Sequence, residues 1–356
     1  MNAKPSHSAI TLLAVAVAGL ASWPTTVSAQ TSESGAFALV VAPAGPNNPR
    51  NSEAAIIQRK DGSLLLAWSA FYQGKSADHG PARISGKLST DGGRTWGDKF
   101  TLVENDGDCN VMEVNFLRLK NGDLALFHCQ KNTESTDCRI MMRTSTDEGK
   151  TWSAAKQISP SGKYTGLTNG RCIRLRSGRI LLEAWEGGDS YCVLSDDDGK
   201  TWRDSQRVQP TSGKSYEDAC IELKDGRVMM LMRTELGGQF KSLSADGGET
   251  WSTAAPTPLT GTAAPVAISR IPSTGDLLAI WNHNPGAKKR NPLTSAISKD
   301  EGETWTHLRN LEEAPDDQWA YPAITWVGDR ALITYFNYKG GLSLKLRSLP
   351  LTWFLQ

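Results

Sequence analysis

The reactive side chains of this sequence fall into two groups, a set of cysteines and a recurring aspartate, and spacing limits what each can do. The cysteines are Cys109, Cys129, Cys138, Cys172, Cys192 and Cys220, all in the middle of the chain. They form no C-x-x-C pair and have no histidine at a zinc-ligand interval, so neither a metal nor another cofactor is expected. Three disulfides remain open, with a connectivity that spacing does not fix. So does a plain role for Cys172, Cys192 and Cys220 as small buried apolar side chains within strands. The aspartate recurs in Ser-x-Asp-x-Gly-x-Thr-Trp: STDGGRTW at 89–96, STDEGKTW at 145–152, SDDDGKTW at 195–202, SADGGETW at 244–251 and SKDEGETW at 298–305. The chemistry of this octet is conformational. Asp folds its carboxylate back onto the backbone, Gly takes positive φ, Ser and Thr bond across the turn, and Trp anchors it by burying a large ring. These aspartates therefore belong to a folding device and are left out of any active site.

A turn of this kind joins two antiparallel strands, and the sequence between the turns reads as strands throughout. Ile56-Ile57 and Leu64-Leu65-Leu66-Ala67-Trp68 flank Asp61-Gly62, a hairpin signal. Phe116-Leu117-Arg118-Leu119, Asn121-Gly122 and Leu124-Ala125-Leu126-Phe127 repeat the unit, which returns around Ser177-Gly178, Asp225-Gly226 and Gly275-Asp276. Each repeat of roughly 50 residues thus supplies a four-stranded sheet, the blade of a propeller. Five copies and a last segment from about Trp305 to Gln356 predict an all-β, six-bladed β-propeller, closed by a strand near Phe37–Val41 that joins the last blade.

Composition agrees with a globular chain. Its 356 residues carry 39 Lys+Arg against 38 Asp+Glu, a formal charge of +1, which gives no basic excess for nucleic acid and no signature of disorder. The 12 Trp outnumber both Phe and Tyr because the octets multiply them. Lys4, an apolar run from Ala9 to Ala21 and Val27-Ser28-Ala29 before Gln30 predict a signal peptide of residues 1–29, cut after Ala29. That run is too short to span a bilayer, and no later stretch approaches the ~18 apolar residues a span needs. The expectation is a single exported domain, residues 30–356, in the periplasm or outside the cell.

The octets are identified as Asp boxes, or BNR repeats. With six blades they make nearly all of the mature chain resemble the sialidase (neuraminidase) superfamily. The resemblance implies a metal-free, retaining exo-glycosidase that removes a terminal acidic sugar from a glycan. It also implies roles. Glu217 heads the first strand of its blade and Arg233 follows on the next, shortly before an Asp box, where the family places a general base and a carboxylate-binding arginine. Arg290, eight residues before the fifth box, matches another such arginine. Tyr321, opening Tyr321-Pro322-Ala323-Ile324, matches the nucleophile of the last blade, and Asp78, in Ser76-Ala77-Asp78-His79-Gly80-Pro81, the acid/base loop.

The first blade departs from the family. An Arg-Ile-Pro motif should supply the first of three arginines, and the segment reads Pro49-Arg50-Asn51-Ser52-Glu53. Ser52 falls near the expected arginine; Arg50 reaches its place only through a bulge, and Arg171 is a candidate substitute cation. Arginines suit a sugar carboxylate because they bind it with charge-assisted, paired hydrogen bonds. A neutral tyrosine suits the nucleophile because a carboxylate would be repelled by the substrate's own. Two alternatives stay open: a glycan-binding propeller without activity, and a hydrolase or lyase for another acidic glycan. A glycan substrate, no nucleic acid, no membrane span in the mature chain and a monomeric state complete the expectations.

Overall fold

The second strand of each repeat is an apolar run rather than an alternation, and its burial explains why. Leu64–Phe71 is buried at every position, as is Leu277–Trp281, because both faces of the strand are covered by neighbouring sheets. In the computed structural model, which describes Met1 and residues 30–31, 35–159 and 163–356, these strands lie within six antiparallel sheets. The expected signal segment falls, apart from Met1, outside the described residues.

Blade 1 contains Arg50–Gln58, Leu64–Phe71, Ala82–Ser89 and Phe100–Val103. Blade 2 runs from Asn110 to Gln157, blade 3 from Ile173 to Asp204, blade 4 from Ser215 to Thr260 and blade 5 from Ala267 to Glu312. Blade 6 takes Trp319–Val327, Arg330–Asn337 and Ser343–Pro350 from the end of the chain and Phe37–Ala42 from its beginning. Phe37 pairs with Ser348, so the ring closes by the expected early strand. The architecture is the six-bladed all-β propeller read from the repeats.

Apolar clusters bridge neighbouring blades and hold the ring. Ala55, Ala67 and Ile84 of blade 1 pack on Val111, Val114 and Leu126 of blade 2; Leu181 and Leu194 of blade 3 pack on Val228, Met230 and Met232 of blade 4. The six cysteines are free thiols, which corrects the option of three disulfides. Cys192 and Cys220 meet across blades 3 and 4 with sulfurs 3.6 Å apart inside such a cluster, as small apolar side chains. The expectation of buried thiols in strands holds for these two, while Cys172 is half-buried.

Each octet connects the third strand of its blade to the fourth. In the first, the Asp91 carboxylate accepts from Thr95 N–H at 2.9 Å, Thr95 Oγ1 at 2.5 Å and Ser89 Oγ at 2.8 Å, and Gly93 N–H donates to Ser89 Oγ at 2.9 Å. Trp96 is buried and donates its indole N–H to Gly93 O at 3.0 Å. In an antiparallel blade the turn from third to fourth strand lies at the same end as the turn from first to second. The structure stitches these together between blades: Glu148 of the second octet accepts from Lys60 N–H at 2.9 Å and Asp198 of the third from Lys120 N–H at 2.9 Å. The octets thus occupy one end of the propeller. The other end holds the beginnings of the first strands and the loops between second and third strands.

Candidate active site

At that second end, four first strands break register. The breaks fall between Ser52 and Ala55, Met112 and Asn115, Tyr216 and Ala219, and Ala320 and Ala323. At each break one residue takes positive φ: Glu53 at 48°, Glu113 at 61°, Glu217 at 51° and Tyr321 at 56°. A non-glycine residue in this region costs on the order of 1–3 kcal/mol, and a bulge re-aims the side chain that bears it. Here four bulges around one axis aim three glutamates and a tyrosine toward the channel mouth. Glu113, Glu217 and Tyr321 line one recess with Arg50, Asp78, Lys131 and Trp185.

Tyr321 donates its hydroxyl to Glu217 Oε1 at 2.6 Å. Arg233, in the second strand of blade 4 opposite Tyr216, donates to Glu217 Oε2. Phe336 stacks on the Tyr321 ring with centroids 5.4 Å apart, and the Arg290 guanidinium lies 5.6 Å from its centroid. Arg290 itself is steadied by Tyr338 Oη at 2.7 Å. Burial and the Glu217 carboxylate push the Tyr321 phenol well above its ordinary pKa, with Arg233 and Arg290 pulling the other way. The phenol is therefore protonated at neutral pH and already hydrogen-bonded to a base. Arg233 and Arg290 also line a wider hollow beside the recess, with Glu235 and Lys288.

Arg50 lines the recess from its regular pairing with Phe71, ahead of the blade-1 bulge, while Ser52 becomes its hydrogen-bond acceptor. Its Nε donates to Ser52 Oγ at 2.7 Å, Nη2 to Glu53 Oε1 at 2.6 Å, and Nη1 to Asp78 Oδ1 at 2.5 Å and Ser76 O at 3.2 Å. Phe71 lies 4.3 Å beneath the guanidinium. Most of its N–H groups are thus taken by the protein. Asp78 is 70% exposed and lines both the inner recess and an outer hollow shared with His79 and Glu134. The surrounding protein raises the Asp78 pKa, but Arg50's charge and hydrogen bond outweigh this and hold it below its ordinary value.

Arg171, the candidate substitute cation, is buried, and the structure places it beneath the recess rather than open at the mouth. Asn115 Oδ1 accepts from both Arg171 N–H at 2.6 Å and Cys172 N–H at 3.2 Å, and this fixes the backbone beneath the floor. The buried guanidinium donates to Pro322 O at 3.1 Å, under the strand that carries Tyr321.

Sequence reasoning left Glu53 without a role and missed Glu113, Lys131 and Tyr338. For the two glutamates a signal was present. Glu53, Glu113 and Glu217 each stand eight residues before the first residue of an x-Gly turn, Asp61, Asn121 and Asp225. Equal spacing from equal turns places them at the same level of the channel. For Lys131 and Tyr338 no comparable signal exists.

The arrangement can activate a phenol by proton transfer to a carboxylate, hold an anion between two arginines, and offer a carboxylate at the mouth. Residues 62–334 match the model of the BNR repeat-like domain. A sialidase of Micromonospora viridifaciens is 24% identical over 340 residues, covering 84% of this chain and 51% of that protein, so the chain spans about half the length of this relative. Among solved structures, a Hadza microbial sialidase superposes with a TM-score of 0.76 at 20% identity over 89% of this chain and 69% of its own. A protein of unknown function from Dyadobacter fermentans gives 0.73 at 18% identity, over 87% of this chain and 97% of its own. At such identities the structural likeness establishes the fold.

Proposed function

Because the chain belongs to the sialidase superfamily of BNR-repeat propellers, we propose that its channel mouth is the active site of a retaining exo-glycosidase for terminal sialic acid or a related acidic sugar. The observation that carries this reading is the 2.6 Å hydrogen bond from Tyr321 Oη to Glu217 Oε1. A buried phenol with a raised pKa is a poor nucleophile unless a base removes its proton as it attacks. Glu217 is that base. Tyr321 Oη forms the bond to the anomeric carbon, and the glycosidic C–O bond breaks on the opposite face. Water then cleaves the tyrosyl–sugar bond with net retention.

Arg233 and Arg290 flank Tyr321 and bind the sugar carboxylate. Arg50 serves differently from a free carboxylate clamp, because Glu53, Ser52 and Asp78 already occupy it. Asp78, between the sugar recess and the outer hollow, stands where a leaving group departs and water enters. It protonates the glycosidic oxygen and later accepts a proton from water. The Arg50 ion pair keeps it ionised at neutral pH, so this acid step is favoured as pH falls. We also propose export, on the charge and apolar pattern of residues 1–29; among the described residues no helix is long and apolar enough to cross a membrane.

The test is release of a fluorogenic aglycone from an α-sialoside by the wild type and by Tyr321→Phe. Turnover by the wild type alone supports the reading. Binding of the sugar without turnover by either protein would leave a glycan-binding propeller.

A further inference from the structure

Blade 3 builds its channel wall differently from the four blades that carry bulges. Its first strand is only Ile173–Arg174. Ahead of it, residues 168–171 turn through the channel beneath the recess and are tied to the backbone beside every bulge. Asn169 Nδ2 donates to Ala54 O at 2.8 Å, next to Glu53, and to the carbonyl of Tyr321 itself at 3.4 Å. Gly170 N–H donates to Val114 O at 2.9 Å, next to Glu113. Arg171 adds its bond to Pro322 O. The fourth bulge is reached through Glu183, in the second strand of blade 3. One of its carboxyl oxygens accepts from Thr168 N–H at 2.7 Å, the other from Asp218 N–H, next to Glu217, at 3.2 Å. Gly170 has φ 66°, and a Cβ there would stand 2.8 Å from that of Ala323, so the turn seats against blade 6 only without a side chain.

Tyr321 and Glu217 are thus joined twice. Above, the phenol meets the carboxylate directly. Below, a continuous path runs from Asp218 N–H through the Glu183 carboxyl to Thr168, along the chain to Asn169, and through its amide to the Tyr321 carbonyl. Asn169 and Glu183 are both 0% exposed, so water does not replace these bonds when they are lost. Burial and the Asp218 carboxyl raise the Glu183 pKa, with Arg171 the opposing charge, and in either protonation state each oxygen keeps a lone pair to accept with. Left-handed backbone at a glutamate or tyrosine persists only where the surroundings over-determine it. The direct phenol–carboxylate bond is lost as the proton moves and the phenol attacks, so the spacing of the two bulges during the reaction must be held from elsewhere.

We propose that Asn169 and Glu183 are positioning residues: the turn they hold sets the nucleophile's strand against the base's strand without touching the sugar. The inference rests on the reading of Tyr321 and Glu217 as nucleophile and base. Asn169→Ala removes both donated bonds. Glu183→Gln keeps the size of the side chain but turns an amide NH2 toward one of the two N–H groups that an oxygen now receives.

The experiment is steady-state kinetics of the full chain on a fluorogenic α-sialoside, with rates counted per folded molecule, together with crystal structures of the wild type and Asn169→Ala. Each variant is expected to lower kcat about 100-fold, the scale of a small misplacement of reacting groups. KM should stay near the wild-type value, because the arginines that bind the sugar carboxylate keep their own supports. In crystals of Asn169→Ala, Tyr321 Oη should no longer lie within hydrogen-bond distance of Glu217 Oε1. Unchanged kcat in both variants overturns the proposal. So does a loss that disappears once rates are counted per folded molecule, the mark of a role in folding alone. If Glu183→Gln does not fold, Asn169→Ala decides, and failure of both to fold overturns the proposal in favour of that folding role. A wild type without turnover overturns the functional reading instead. The crystal structures need no substrate and still decide the positioning, since an undisplaced Tyr321–Glu217 pair in Asn169→Ala overturns it.

Discussion

The two ends of this propeller both hold non-glycine residues in left-handed backbone, and they put them to opposite uses. At the octet end Glu148, Asp198 and Glu301 have φ near 60°, at 62°, 62° and 60°. Their carboxylates tie adjacent blades together: Glu148 bonds Lys60 N–H, Asp198 bonds Lys120 N–H and Glu301 bonds Lys224 N–H at 2.7 Å, each a contact to the neighbouring blade's turn. At the mouth Glu53, Glu113, Glu217 and Tyr321 carry the same backbone conformation in bulges, and their side chains crowd one another around a recess. One end spends strain on satisfied local bonds; the other spends it on placing charge and a phenol where they repel or await a partner. Stability and chemistry are thus segregated along the axis.

The largest expected effect breaks the comparison at the mouth. Tyr321→Phe should lower turnover of an acidic glycoside by orders of magnitude while leaving the melting temperature close to wild type. Glu217→Gln should lose a comparable amount, and the double variant little more, because residues acting as a unit are not additive. Near-full turnover in Tyr321→Phe would mean that the tyrosine only packs on Phe336.

Next come the arginines that flank the tyrosine. Arg233→Ala and Arg290→Ala should each cost ~2–4 kcal/mol in kcat/KM, the scale of unpairing a buried charged hydrogen bond. Equal cleavage of neutral and acidic glycosides by these variants and the wild type would remove the anion site from the mouth.

A smaller effect sharpens the electrostatic side of the comparison. Arg50 lowers the Asp78 pKa, so the proton-bearing form of Asp78 grows only as pH falls toward that lowered value. Chemistry limited by this acid should therefore speed up on the acidic side of neutrality, and Asp78→Asn should abolish that limb of the pH–rate profile. A flat profile between neutral and mildly acidic pH in the wild type counts against Asp78 as the acid.

The smallest effects belong to the other end. Asp91→Ala should lower stability by ~1–2 kcal/mol, from the lost turn bonds, with kcat and KM unchanged. In the third and fifth octets the hydroxyls of Thr201 and Thr304, then their N–H groups, hold Asp197 and Asp300 down to about 2. A carboxylate whose pKa is lowered by folding contributes stability that is complete above its unfolded pKa of about 4 and is lost as pH falls toward the folded value. Denaturant titrations at pH 5 and pH 2.5 measure this loss, and the same midpoint at both would contradict the turn geometry.

Legibility in the sequence followed the same division. The octets are local: Ser, Asp, Gly, Thr and Trp within eight residues make their own turn, so type and spacing disclose it without knowledge of the rest of the chain. The runs Leu64–Phe71 and Val228–Thr234 likewise announce strands covered on both faces. Tyr321, Glu217, Arg233, Arg290 and Asp78 were proposed from a family pattern, and the structure sets Tyr321, Glu217, Arg233 and Arg290 around one centre with Asp78 at its mouth. Arg50 was read with an open alternative, and the structure sets it at the recess in register with Phe71, ahead of the bulge that carries Glu53. Arg171 lies beneath the floor, where one side-chain amide, Asn115, holds its backbone from another blade, a contact that spacing does not disclose.

The sequence by itself therefore determined the number of blades, the turns between strands and the strand that closes the ring, because each depends on residues near one another in the chain or on a regular repeat. Only the tertiary structure decided which carboxyl is paired and which is bare. Glu53, Glu113 and Glu217 are indistinguishable by spacing, yet Arg50 and Arg233 bond the carboxylates of the first and last, while Ser69 meets only the backbone N–H of Glu113. The protonation and reactivity of an acid follow from charges and burial supplied by other blades, and those meet only when the ring closes.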